Sequence, residues 1–146
     1  SVDLSGPMRV DALGVRRQVE ACRRVGVTRV VLVSSLCSGR LWHPLNLFGL
    51  ILFWKRIGEA ALERSGLDWT VIRPGGLSER EGDLDSEGLL LTGADQQDTA
   101  SIPRRLVARC CVDALKTPES IGRILEVTSR PELPVISLRE ALAQSE

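Results

Sequence analysis

Apolar residues recur at helical spacing near the start of the chain, where Val15, Val19, Cys22 and Val25 alternate with arginines and a glutamate. That spacing predicts a helix over 8–25, and Gly26 stands where a left-handed cap ends it. Residues 27–35 then lose all periodicity. Their β-branched run reads as a strand buried on both faces, the kind that belongs to a parallel sheet. A loop over 36–45 precedes a second helix over 46–65, with Asn46 as its cap and Gly66 as its stop. Residues 67–73 form another short strand, ended by Pro74-Gly75-Gly76.

The polar stretch 78–98 reads as a loop carrying a short strand over 89–91. Pro103 suits the first turn of a helix running to Leu115, because its missing N–H is not needed there. A strand over 124–128 follows. Ser137 and Glu140 have the spacing of a capping box for a short terminal helix. The resulting order of helices and strands implies parallel strands joined by right-handed crossovers, an α/β doubly wound parallel sheet.

Composition narrows the function classes. The 146 residues are 43% hydrophobic and 26% charged, enough for one domain with a core. Nineteen basic side chains balance nineteen acidic ones, so no nucleic-acid partner is expected, since such a surface needs a positive excess. The longest apolar stretch, 45–54, is too short for a membrane span. Cys22, Cys37, Cys110 and Cys111 have no metal or disulfide spacing and read as free thiols of a reducing compartment. No metal site is expected.

In an open parallel sheet, ligands bind beyond the C-terminal ends of the strands. Ser34 and Ser35 end one predicted strand there, and Arg73-Pro74-Gly75-Gly76 end the next. The two glycines have two readings. They let a planar ligand approach the main chain and offer it N–H groups, or they form a tight turn that needs glycine for its dihedrals. Lys55 follows Ile51 and Leu52 on a greasy helix face. It is either a ligand-binding cation or a lysine reaching past its neighbours to pair with Glu59. His43 lacks the partners of a catalytic triad and reads as a solvated loop residue.

Several motifs together carry a resemblance: Val10-Asp11 with Gly14, Val31-Leu32-Val33-Ser34-Ser35, His43-Pro44-Leu45-Asn46, Trp54-Lys55-Arg56 and the run from Ser65 through Arg73-Pro74-Gly75-Gly76-Leu77. Thr99 to Arg104 and Glu126-Val127-Thr128 extend it. The chain resembles the NmrA-like, NAD(P)H-binding atypical short-chain dehydrogenases/reductases of plants and cyanobacteria, from about Val10 to Ser129. The resemblance implies a Rossmann-like fold and NADP as cofactor. It makes Lys55 the catalytic candidate and a ribose ligand, and Pro74, Gly75, Gly76 and Leu77 the nicotinamide wall. Ser34 and Ser35 would border the same pocket.

Two departures from that family pattern matter. The proton-passing tyrosine usually stands four residues before the lysine. Here that position is Ile51, and the chain contains no tyrosine. The glycine-rich pyrophosphate turn is also absent, so residues 1–146 read as the C-terminal part of a single domain whose N-terminal half is missing. The strand over 27–35 would then expose an edge, and the partners expected are a dinucleotide and a second copy or complementing chain on that edge. Three functions remain open: an oxidoreductase, a non-catalytic cofactor-sensing or protein-interaction module, or a fragment that binds no ligand. The compartment expected is the cytoplasm, or the plastid stroma for a plant chain.

Overall fold

The computed structural model describes residue 6 and residues 8–36, 51–78, 87–97 and 100–145. His43, Cys37, the cap expected at Asn46 and most of the 36–45 loop lie outside these residues.

The first helix is divided where one continuous helix was expected. A π-helical stretch, Met8–Gly14, leads into α1, Val15–Val25. Gly26 caps α1 with φ of 76°, as the sequence required. Strand β1, Arg29–Val33, is followed after the undescribed segment by helix α2, Ile51–Glu63. Gly66 ends the turn after α2 with φ of 77°. Strand β2 is Asp68–Pro74, and after Gly75 a short strand β3, Gly76–Ser78, continues the path. Strands β4, Gly88–Thr92, and β5, Ser101–Pro103, precede helix α3, Arg104–Leu115. Pro103 is therefore the last residue of β5 and the N-cap of α3, one position outside the helix. Strand β6, Arg123–Arg130, and helix α4, Leu138–Gln144, complete the described elements. The capping box on α4 is formed in both directions between Ser137 and Glu140.

The main sheet has the order β1-β2-β6-β4. β1, β2 and β6 are parallel, whereas β4 runs antiparallel to β6. The sheet is thus mostly parallel, as the α/β doubly wound reading expected, with one antiparallel strand at its edge. An antiparallel strand at the edge of an otherwise parallel sheet is common in α/β folds of this kind. β3 and β5 pair with each other outside the main sheet, a ladder that the glycine-containing sequence around it did not announce.

Side-chain alternation distributes the core over both faces. Val71 packs with Val15, Val19 and Leu62 of the first two helices, joined by Val30 and Leu32. Ile72, Leu125 and Val127 face the other way, against Leu106, Val107 and Ala114 of α3 and Leu138, Ala141 and Leu142 of α4. Helices thus cover both faces of a Rossmann-like α/β sheet. β1 is only half-buried, because it sits at the sheet edge, and Val33 is 47% exposed. Arg29 anchors this strand, donating to Thr70 Oγ1, Ser120 Oγ and the Ala114 carbonyl near the end of α3. No described helix is long and apolar enough to cross a membrane.

Candidate functional site

At the C-terminal ends of β1 and β2 a set of charged side chains is buried together. Arg73, Glu59 and Glu126 are 1%, 0% and 0% exposed. Arg73 Nη2 lies 2.7 Å from Glu59 Oε2, and Arg73 Nη1 lies 3.0 Å from Asp95 Oδ1 and 3.4 Å from Glu126 Oε2. Glu126 Oε1 in turn accepts the backbone N–H groups of Gln96 and Gln97 at 2.8 Å each. Burial alone lowers the affinity of Arg73 for its proton. The hydrogen bonds and charges of Glu59, Asp95 and Glu126 outweigh that, so its pKa is raised.

Ser34 joins the same cluster. Its hydroxyl donates to Glu59 Oε1 at 2.5 Å, and its backbone N–H donates to the Ile72 carbonyl at 2.8 Å. The chain after β1 keeps that course, with Leu36 N–H on the Pro74 carbonyl at 3.0 Å. Sequence reasoning named Arg73 and Glu126 only as members of motifs and missed the cluster they form with Glu59. A signal existed: Arg73 and Glu126 are charged residues inside otherwise apolar strand sequences, and buried charges require partners.

Lys55 stands one helical turn before Glu59, so the two share a face of α2. Its ammonium pairs with Asp11 Oδ1 at 3.2 Å, and not with Glu59 as the sequence alternative had it. Glu59 is taken by Arg73 and Ser34, which explains the change. Asp11 is held in place by close packing: a Cβ at Gly58 would collide with the Asp11 carbonyl oxygen. One of the three Lys55 N–H donors is spent on this contact, and the side chain is 22% exposed.

The two glycines meet neither sequence reading in full. Their N–H groups are already used, Gly75 on the Val127 carbonyl and Gly76 on the Ala100 carbonyl, at 3.0 Å each. They are therefore not offered to a ligand. The positive-φ glycines are Gly26, Gly66 and Gly122, so dihedral demand is not the reason for glycine here either. Gly75 is needed for space, since a Cβ there would lie 2.5 Å from the Ala100 oxygen and 2.9 Å from Thr128 Cγ2.

The described residues near Gly76 leave some groups free for a ligand. Leu77 exposes 49% of its surface beside Gly76, an apolar wall for a flat ring. The buried Ser78 Oγ, next in the chain, has no hydrogen-bond partner, and a polar ligand group would satisfy it. Lys55 keeps donors beyond its contact with Asp11. Among the described residues no group of His, Cys, Asp or Glu is arranged to hold a metal. Burial pushes the Cys110 thiol up to about 12 and raises Cys111 as well, so neither is a thiolate near neutral pH. A cavity of about 530 Å³ bordered by Leu106, Cys110, Asp113, Val135 and Ser137 lies apart, and contains none of the expected site residues.

Comparison with known proteins shows the family. A family model described as NAD(P)H-binding matches residues 2–118. An uncharacterized chloroplast protein of Arabidopsis thaliana is 39% identical over 132 residues, covering 86% of this chain and 40% of that protein. Sanguinarine reductase of Eschscholzia californica is 35% identical over 132 residues, covering 86% of this chain and 47% of the reductase. A solved structure from Bacillus halodurans superposes with a TM-score of 0.83 at 24% identity, covering 99% of this chain and 64% of that one. The chain thus spans less than half the length of either of these two curated relatives.

Proposed function

Because this chain belongs to the NAD(P)H-binding family of atypical short-chain dehydrogenases, we propose that residues 1–146 form the C-terminal part of one NADP-binding domain and hold the nicotinamide–ribose end of the cofactor. Lys55 is the ribose ligand and the catalytic candidate. Ser34 and Ser35 border the pocket, and Pro74, Gly75, Gly76 and Leu77 form its wall, through the Leu77 side chain and the close packing that Gly75 permits. The observation that carries this reading is the convergence on one α2 face: Lys55 stands a turn before Glu59, and Glu59 reaches both Ser34 and Arg73 at the strand ends. NADP over NAD rests on the family resemblance.

Bound NADPH supplies a hydride. The chain's own part is to bind and orient, because no tyrosine is present to pass a proton. The sequence similarity to sanguinarine reductase supports an oxidoreductase. The missing tyrosine favours the second reading, a cofactor-sensing module acting through partners. The proposal also places a further strand on the open edge of β1, from a second copy or a complementing segment, and the protein in the cytoplasm or, in a plant, the plastid stroma.

An NADPH titration of the chain, read by quenching of Trp54 and Trp69, tests the site. Saturable binding weakened at least tenfold by Lys55→Ala is the expected result, a loss on the order of 1.4 kcal/mol. Equal binding by the variant removes Lys55 from the site. Oxidation of NADPH in a substrate screen then separates the oxidoreductase from the sensor.

A further inference from the structure

A hydroxyl has one proton to donate and lone pairs to accept with. In Ser34 that proton is committed. The acceptor, Glu59 Oε1, is 2.5 Å away and belongs to a carboxylate that is fully buried. Arg73 donates to both oxygens of the same carboxylate, with Nη2 at 2.7 Å from Oε2. Along that short bond the hydroxyl is the donor and the carboxylate oxygen the acceptor, which fixes the Ser34 rotor. Ser34 itself is only 6% exposed, which leaves water little access to compete for that proton. What the hydroxyl can offer to a neighbour is its lone pairs.

Ser34 also runs beside the residues that lead into the proposed nicotinamide wall, through its N–H on the Ile72 carbonyl and Leu36 N–H on the Pro74 carbonyl. Among the groups of a nicotinamide, the carboxamide is the one that carries N–H donors. Resting on the cofactor reading above, we infer that Glu59 is a positioning residue that locks Ser34 as a hydrogen-bond acceptor, so that Ser34 receives the nicotinamide carboxamide N–H and does not polarise a carbonyl oxygen. The consequence is chemical: this serine cannot activate a ketone or aldehyde by donation while Glu59 holds its proton.

The test compares NADP⁺ with its 3-acetylpyridine analogue by calorimetric titration. The analogue keeps the carbonyl and replaces the amide nitrogen by a methyl, so it has no N–H to donate. The native chain should bind the analogue about five- to tenfold more weakly, the effect of one neutral hydrogen bond. In Glu59→Gln the amide oxygen stays on the Arg73 side, where the shortest bond is, and the amide NH₂ faces Ser34. Ser34 then accepts from Gln and releases its own proton toward the ligand, where both ligands present a carbonyl. The preference should disappear. A merely structural defect would weaken both ligands and leave their ratio unchanged.

Ser34→Ala should likewise bring the ratio to about one, and it decides the matter should Glu59→Gln fail to fold. Equal affinities in the native chain, or a native-like ratio in either variant, overturn the inference while leaving the cofactor site standing. Binding of neither dinucleotide to the native chain overturns the cofactor reading itself, and the inference with it.

Discussion

At the scale of single residues, the chain places its costliest group where its function is proposed. Arg73 is buried against two carboxylates that are themselves fully buried, with Asp95 at the solvent side. Removing the guanidinium takes the buried cation from Glu126 and leaves Glu59 the longer pairing with Arg56, at 3.6 Å. Arg73→Met should therefore destabilise the chain by about 3–5 kcal/mol, as breaking a buried pair does, measured as a drop in the urea midpoint. A loss under about 1 kcal/mol would mean that the site relaxes or admits water, and that the pair is worth no more than a surface one. Lys55 is different. Its pairing with Asp11 is partly exposed, so its replacement should act on ligand binding far more than on stability.

At the scale of elements, the glycine pair at the end of β2 was read from sequence either as facing a ligand or as a tight turn, and its geometry divides the two. Gly75 is packed against Ala100 and Thr128, whereas a Cβ at Gly76 would stand an ordinary 3.7 Å from the Ala100 oxygen. Gly75→Ala should cost about 1–3 kcal/mol through overpacking, while Gly76→Ala should change the melting temperature little. Equal effects of the two substitutions in thermal denaturation would refute this division. The β3–β5 ladder explains why the close approach exists at all, since it draws Ala100 and Ser101 across the end of β2. That pairing joins residues far apart in sequence, and no local pattern could have indicated it.

At the scale of the whole molecule, the decisive feature is the edge of β1. Among the described residues, no strand lies on its far side. The N–H groups of Ser34 and Leu36 bond β2, and alternation along a parallel strand directs that of Val33 the other way. Val25, Val27 and Val33 around it are all exposed. Such an edge is a template for another strand. The isolated chain should sediment as a dimer or larger, and Val33→Pro, which deletes an outward donor and leaves the β2 ladder intact, should return it to a monomer with native circular dichroism. A monomeric native chain would show that the edge is covered and that no partner strand is needed.

The sequence by itself determined the class of fold, the glycine cap at Gly26, the positive-φ stop at Gly66, and the Ser137–Glu140 capping box, because these depend on local spacing and local dihedral demand. It also marked Ser34, Lys55 and the Pro74–Leu77 segment as candidates, from their place at strand ends and from family resemblance. Only the tertiary structure decided what those residues have available for a ligand. It set Asp11 against Lys55, spent the glycine N–H groups on the chain's own carbonyls, turned β4 antiparallel, and brought Glu59, Arg73, Glu126 and Ser34 into one buried cluster. These are contacts between side chains and strands distant in sequence. Their free energy comes from burial and from satisfying charges out of water, and neither exists until the chain has folded.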